Sequence, residues 1–206
     1  MKTFTEAKFD TIIKEGFHEI LKPLGFKKKV NNFYLQLQDL GQIINIQRSS
    51  FNSKEHINFT INTGIFIPEY WLAYYNFHNG VVPTFPTEPA CAIRQRIGKL
   101  KYKGYDKWFD VNTETNVSDL MEELKDCVLN YILTYFNSIN NKAAVLQILG
   151  DKTVSMETFG RLIIYGEYKE FAKAQAEYER LLNDRYTNFN FKDSLNEYKA
   201  KYGLQN

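Results

Sequence analysis

The chain has 206 residues, 26 Lys and Arg against 24 Asp and Glu, and 44% hydrophobic residues, so it can bury a full core and is not a disordered polyelectrolyte. Its formal charge of +2 makes no field strong enough to gather polyphosphate non-specifically, and nucleic acid is not favoured as a partner. Cys91 and Cys127 lack CxxC spacing, and neither the opening MKTFTEAKFD nor any later run reads as a signal peptide or membrane span, so a soluble, cytoplasmic protein is expected.

In chain order, residues 5–24 place Phe9, Ile12, Ile13, Phe17, Ile20, Leu21 and Leu24 on one helical stripe. Thr5 is the expected cap, and Pro23 with Gly25 should end the helix before Phe26. A strand should carry Lys27, Lys28 and Lys29 and turn at Asn31 and Asn32. Phe33, Leu35 and Leu37 then resume an alternation of period two. After a turn at Gly41, Ile44 and Ile46 face one way while Ile43, Asn45 and Gln47 face the other. In HINFTINTGIF, Ile57, Phe59, Ile61 and Ile65 take one face and Asn58, Thr60 and Asn62 the opposite one.

Pro68 opens a short aromatic helix, PEYWLAYYNFHN, which should end at Asn79 and Gly80 and pack as a lid or spacer. The stretch VVPTFPTEP must cross as a loop. CAIRQRIGKL should re-enter the sheet with Cys91, Ile93, Gln95 and Ile97 on one side and Arg94 and Arg96 on the other, and WFDV makes a fifth strand. Ser118 with Glu122 starts a long helix whose stripe is Leu120, Leu124, Cys127, Val128, Tyr131 and Tyr135. Helical patterns over 143–149, 154–165, 168–182 and 191–202 follow without any strand signal.

The expected class is therefore α+β. An antiparallel sheet of about five strands packs against an N-terminal helix and a long central helix, and a helical C-terminal appendage follows. The boundary is placed between a 1–138 α+β domain and a 139–206 helical segment.

Chemistry-bearing motifs are sparse. No phosphate-cradling glycine loop, zincin helix, nucleophile elbow or metal motif is present, so no catalytic residue, metal or cofactor is assigned. Glu15 and His18 have the three-residue spacing of a di-metal carboxylate helix, but such sites need the motif twice, which leaves both on a solvated face. His78 reads as a polar cap residue. The more informative feature is the second face of the sheet, where the alternations register Tyr34, Gln36, Asn45, Gln47, Asn58, Asn62, Arg94 and Arg96 together, with Trp108 able to wall them. A wet outer face is the ordinary explanation of polar strand positions, but such a face is usually built of Lys, Glu and Thr. Amides around two arginines suit the oriented capture of a carboxylate or phosphate.

The blocks GFKKKVNNFYLQ, INIQRSS, FTINTGIF, CAIRQRIGKL and DKWF together resemble the bacterial family catalogued as domain of unknown function 4304, over roughly residues 9–135. The resemblance implies recurrent N-F, Q-x-S, T-x-N-x-G and R-I-G blocks, here Asn32, Phe33, Gln47, Ser49, Thr60, Asn62, Gly64, Arg96, Ile97 and Gly98. Phe109 departs from a second tryptophan in that pattern, which bears on any aromatic wall. No catalytic residue transfers with the resemblance.

The expectation is a non-enzymatic binding module whose amide and arginine face engages a protein or a small anionic ligand, a toxin-neutralising immunity role being one form of it. No membrane contact is expected, and a homo-oligomer is left open. The alternative is an enzyme acting on a phosphate or carboxylate ester, with Arg94 and Arg96 as electrostatic stabilisers and Asp106, Asp110 or His78 as acid or base.

Overall fold

The computed structural model describes residues 2–75, 80–151, 153–154 and 156–205. The fold is α+β. Helix α1 (Phe4–Thr11) runs through a π-helical turn at Ile12–His18 into α2 (Glu19–Leu21). Its cap is Thr3 and not Thr5. The Thr3 side chain accepts from the Glu6 amide at 3.2 Å while the Glu6 carboxylate accepts from the Thr3 amide at 2.9 Å. Thr5 is buried instead, its hydroxyl donating to the Glu55 carbonyl.

The strands β1 (Lys27–Lys29), β2 (Asn32–Gln36), β3 (Gly41–Arg48) and β4 (His56–Phe66) form an antiparallel meander. Helix α3 (Pro68–Tyr74) follows, and the expected end of its segment at Asn79, like His78, lies outside the described residues. Strand β5 (Ile93–Arg96) returns to β4, helix α4 (Ile97–Lys101) leaves again, and β6 (Phe109–Asn112) comes back to the same edge of β4. The eleven residues of β4 thus carry β3 along one side and two short strands on the other. β5 lies opposite Asn62 to Ile65 and β6 opposite His56 to Phe59. The chain between them bulges out of the sheet.

Two expectations for CAIRQRIGKL need correction. A 3-10 turn at Glu88–Ala90 resets the alternation, so Cys91 falls on the face of Gly64 and not with Ile93, and the strand stops at Arg96 so that Ile97 begins a helix. A Cβ on Gly64 would stand 2.5 Å from the Cys91 sulphur, so the sheet accepts Cys91 there only over a glycine.

Helix α5 (Val117–Asp126) is capped by Asn116, whose side chain accepts from the Ser118 amide at 3.1 Å, so Ser118 is not the cap. A π-helical turn at Cys127–Ile132 leads into α6 (Leu133–Ser138). Because that turn inserts extra helix length, the buried stripe passes from Leu124 and Val128 to Ile132 and Phe136, one position past the expected Tyr131 and Tyr135. Helices α7 (Lys142–Leu149), α8 (Gly160–Glu167), α9 (Phe171–Asn183), α10 (Arg185–Asn190) and α11 (Lys192–Tyr202) complete the fold.

One face of the sheet packs on α1 and on α5–α6, with Phe9 against Phe59 and Phe17 against Phe33. Gln42, buried on that face, is satisfied by donating to the Phe136 and Ile139 carbonyls at 2.8 and 3.3 Å. The same continuous core takes in Val145, Leu149, Leu162, Ile163, Tyr178 and Leu195 from α7 to α11. Among the described residues, no helix is long and apolar enough to cross a membrane.

Candidate functional site

The opposite face of the sheet is divided along its length. At one end Tyr34, Ile43, Phe66, Ala90 and Cys91 form a second, smaller apolar cluster with Trp71, Val82 and Phe85. The cover comes from α3 and the proline-containing loop after it. Tyr34 is therefore core, 3% exposed, and Gln36 accepts from its hydroxyl at the margin. Burial pushes the Cys91 thiol well above its ordinary pKa, with the nearby Glu88 adding to the effect.

At the other end the residues opposite one another in the register are Asn32, Asn45, Asn62 and Arg96. They are hydrogen-bonded in series. The Arg96 Nε donates to Asn62 Oδ1 at 3.0 Å. The Asn62 amide donates to Gln47 at 2.8 Å and to Asn45 at 3.2 Å, and Asn45 donates to Asn32 at 2.8 Å. Amides suit this row because each both donates and accepts, so four strands are linked by neutral groups that end on one cation.

Arg96 turns its Nη1 to both oxygens of Asp106, at 2.8 and 2.9 Å, and lies 5.6 Å from the centre of the Trp108 ring. The Trp108 indole N–H donates to the same carboxylate at 3.0 Å. Arg94, two residues back, makes a two-pronged contact with Glu88 at 2.7 and 3.1 Å. Glu157 stands 3.9 Å from Arg94 Nη1. Arg94, Arg96, Glu88, Asp106 and Glu157 line a cleft of about 370 Å³ with Gln47, Asn62, Gln95, Lys99 and Tyr105.

Of the nine positions singled out in the sequence, Gln47, Asn62, Arg94 and Arg96 line the cleft. Asn45 stands behind Asn62 in the hydrogen-bonded row, and Trp108 reaches the cleft through Asp106. Asn58 shares the face but sits opposite Asp110 on β6, and Tyr34 and Gln36 belong to the apolar end. Of the acid or base candidates, Asp106 is in the cleft, Asp110 is turned to His56, and His78 lies outside the described residues. Among the described residues no group of three or more His, Cys, Asp or Glu is placed to hold a metal ion. Glu88, Lys99 and Glu157 did not stand out in the sequence. Glu88 carried a usable signal, being the one charged residue between 81 and 93.

The Arg96 guanidinium, with help from the Trp108 N–H, holds the Asp106 carboxyl below the usual carboxylate range. A carboxylate so held is a poor proton acceptor near neutrality. The unfolded chain has the ordinary value of about 3.9, so this pairing contributes stability above about pH 4 and loses it as the pH falls through the lower folded value. In a Trp71→Phe background, Trp108 emission is expected to change at a lower pH in the native protein than in an Arg96→Gln variant. Identical midpoints would show that Arg96 does not set the Asp106 charge.

The matching family model, described as Domain of unknown function (DUF4304), covers residues 17–138, more than half of the chain. The chain belongs to this family. No curated protein and no solved structure matches it. The DUF4304 segment contains the whole sheet and all of the cleft's lining except Met156 and Glu157, which lie beyond it. It also ends at the last residue of α6, before the helices that complete the core.

Proposed function

We propose that this DUF4304 protein is a binding module without catalysis of its own, and that the cleft over β4 and β5 receives a polar segment of a protein partner. The observation that carries this reading is that both arginines reach the cleft already tied to carboxylates of their own chain. Arg94, Arg96 and Lys99 there are matched by Glu88, Asp106 and Glu157, so the site holds no excess of charge to collect a free polyanion. Fixed charges of both signs beside an amide row instead favour a polypeptide that offers both donors and carboxylates. Two buried, unpaired thiols support a reducing, cytoplasmic setting.

The test is capture of partners on immobilised protein, followed by calorimetric titration of the purified partner. The Arg94→Gln/Arg96→Gln variant, which keeps a hydrogen-bonding group at each position, is expected to bind at least about tenfold more weakly while its melting curve shows a folded protein. Inorganic phosphate should give no heat. Equal partner affinity in both proteins, or micromolar phosphate binding, would retire this reading.

A further inference from the structure

Among the described residues, β5 lacks the lysine guards found at the other sheet edges. β1 ends the sheet on one side with Lys27, Lys28 and Lys29 all exposed, which discourages further strand pairing. On β6, Lys8 of α1 reaches over the strand end and donates to the Asn112, Thr113 and Thr115 carbonyls. Among the described residues, β5 pairs with β4 alone, and 93–95 makes no backbone hydrogen bond to a loop, while Arg96 is the N-cap that opens α4. Its two arginines do not screen it, because Glu88 and Asp106 hold them back.

The cleft runs along this edge. Ala92, Arg94, Gln95 and Arg96 all line it, and since neighbouring strand residues point to opposite faces, a cleft touching both kinds follows the strand's side and not one face. Met156 and Glu157 stand across it. Among the described residues, no donor reaches the buried Gln95 Oε1. A four-residue strand spans about 13 Å, enough for a short extended segment to lie alongside.

We infer that β5 takes up an extended segment of a different protein as an additional strand, with acidic side chains at alternate positions beside Arg94 and Arg96 and a hydrogen-bond donor between them facing Gln95. This rests on the reading of the cleft as a partner site and names how the partner lies in it. A second copy of this chain does not suit the edge, since antiparallel pairing of β5 with itself that preserves the faces sets arginine opposite arginine. Acidic side chains at alternate positions meet instead Arg96 Nη2, which neither Asn62 nor Asp106 engages, and Arg94 Nη1, which Glu157 approaches only to 3.9 Å, while the backbone contributes strand hydrogen bonds.

The test is an NMR titration of the full-length ¹⁵N-labelled protein with a capped Thr-Glu-Thr-Glu-Thr-Glu peptide. Three comparison peptides are used: Lys in place of Glu, N-methyl groups on the Glu nitrogens, and N-methyl groups on the Thr nitrogens. Shifts and slowed amide exchange are expected in 93–96. The Lys peptide and one of the two methylated peptides should bind at least tenfold more weakly. Equal binding of both methylated peptides, or no shift in 93–96 at millimolar peptide, would overturn strand addition. If the captured partner nevertheless depends on Arg94 and Arg96, strand addition fails alone and the cleft reading stands.

Discussion

Ending the chain after Asn140 is expected to abolish cooperative folding. The residues removed include Val145, Leu149, Leu162, Ile163, Ile164, Ala174, Tyr178, Leu181 and Leu195, each at most 1 or 2% exposed and part of the same core as Ile65, Ile67 and Tyr70. α3 packs against α8, and Lys142 at the start of α7 reaches Glu69 of α3 at 2.6 Å. Burial of a large apolar side chain stabilises by about 1.5–3 kcal/mol, so the lost burial exceeds the whole stability of an ordinary domain, about 5–15 kcal/mol. A 1–140 fragment should show no sharp denaturant transition and should bind a hydrophobic dye. A monomeric fragment with a two-state transition would instead support a self-sufficient unit ending at 138.

Gly98→Ala should be the most damaging single substitution near the site. A Cβ there would collide with the Tyr105 carbonyl oxygen and stand 3.0 Å from its carbon and 3.3 Å from the Lys107 amide nitrogen. These are backbone atoms, which cannot rotate away as a side chain can. The 98–105 turn is closed by hydrogen bonds from the Tyr102 and Gly104 amides to the Gly98 carbonyl, both 3.0 Å, so displacement passes directly to Asp106. A loss of about 2–3 kcal/mol and a drop in Tm of roughly 5–10 °C are expected, with Trp108 emission altered as Asp106 leaves Arg96. Lys99→Ala, next in the chain but exposed, should stay within about 0.5 kcal/mol of the native protein. Comparable melting of both variants would show that the close approach of 98 and 105 is relaxed at little cost.

Much of the architecture was legible because it is written in local periodicity. The alternations over β2, β3 and β4 placed Asn45, Asn62 and Gln47 on one face, and the register carries that face across to Arg94 and Arg96. Parity reports a face but not a position along it. Nothing in the alternation says that α3 and the loop around Phe85 cover the Tyr34 end and leave the Asn62 end open. Phase was lost wherever the backbone departed from a regular period: at the 3-10 turn before Cys91, and at the π-helical turn that moved the stripe from Tyr135 to Phe136. Both caps erred by two residues because Thr3 and Thr5, or Asn116 and Ser118, have equivalent capping chemistry and only tertiary contacts choose between them.

The carboxylates that neutralise the arginines were the hardest to foresee. Glu88 meets Arg94 only because a tight turn folds six residues back on β5, and Glu157 arrives from the far C-terminal half. Their presence changes the chemistry of the face, from a pair of free guanidinium groups ready to clamp an anion to a balanced, prearranged surface. Asp106 does the same for Arg96 while fastening Trp108 to the rim.

The most direct measurement is amide hydrogen exchange of the full chain alone and saturated with its captured partner. Slowed exchange centred on 93–99 and 104–107 is the predicted result. Protection confined to the lysine-bearing β1 edge or to α9–α11, with those segments unchanged, would contradict the assignment of binding to this cleft.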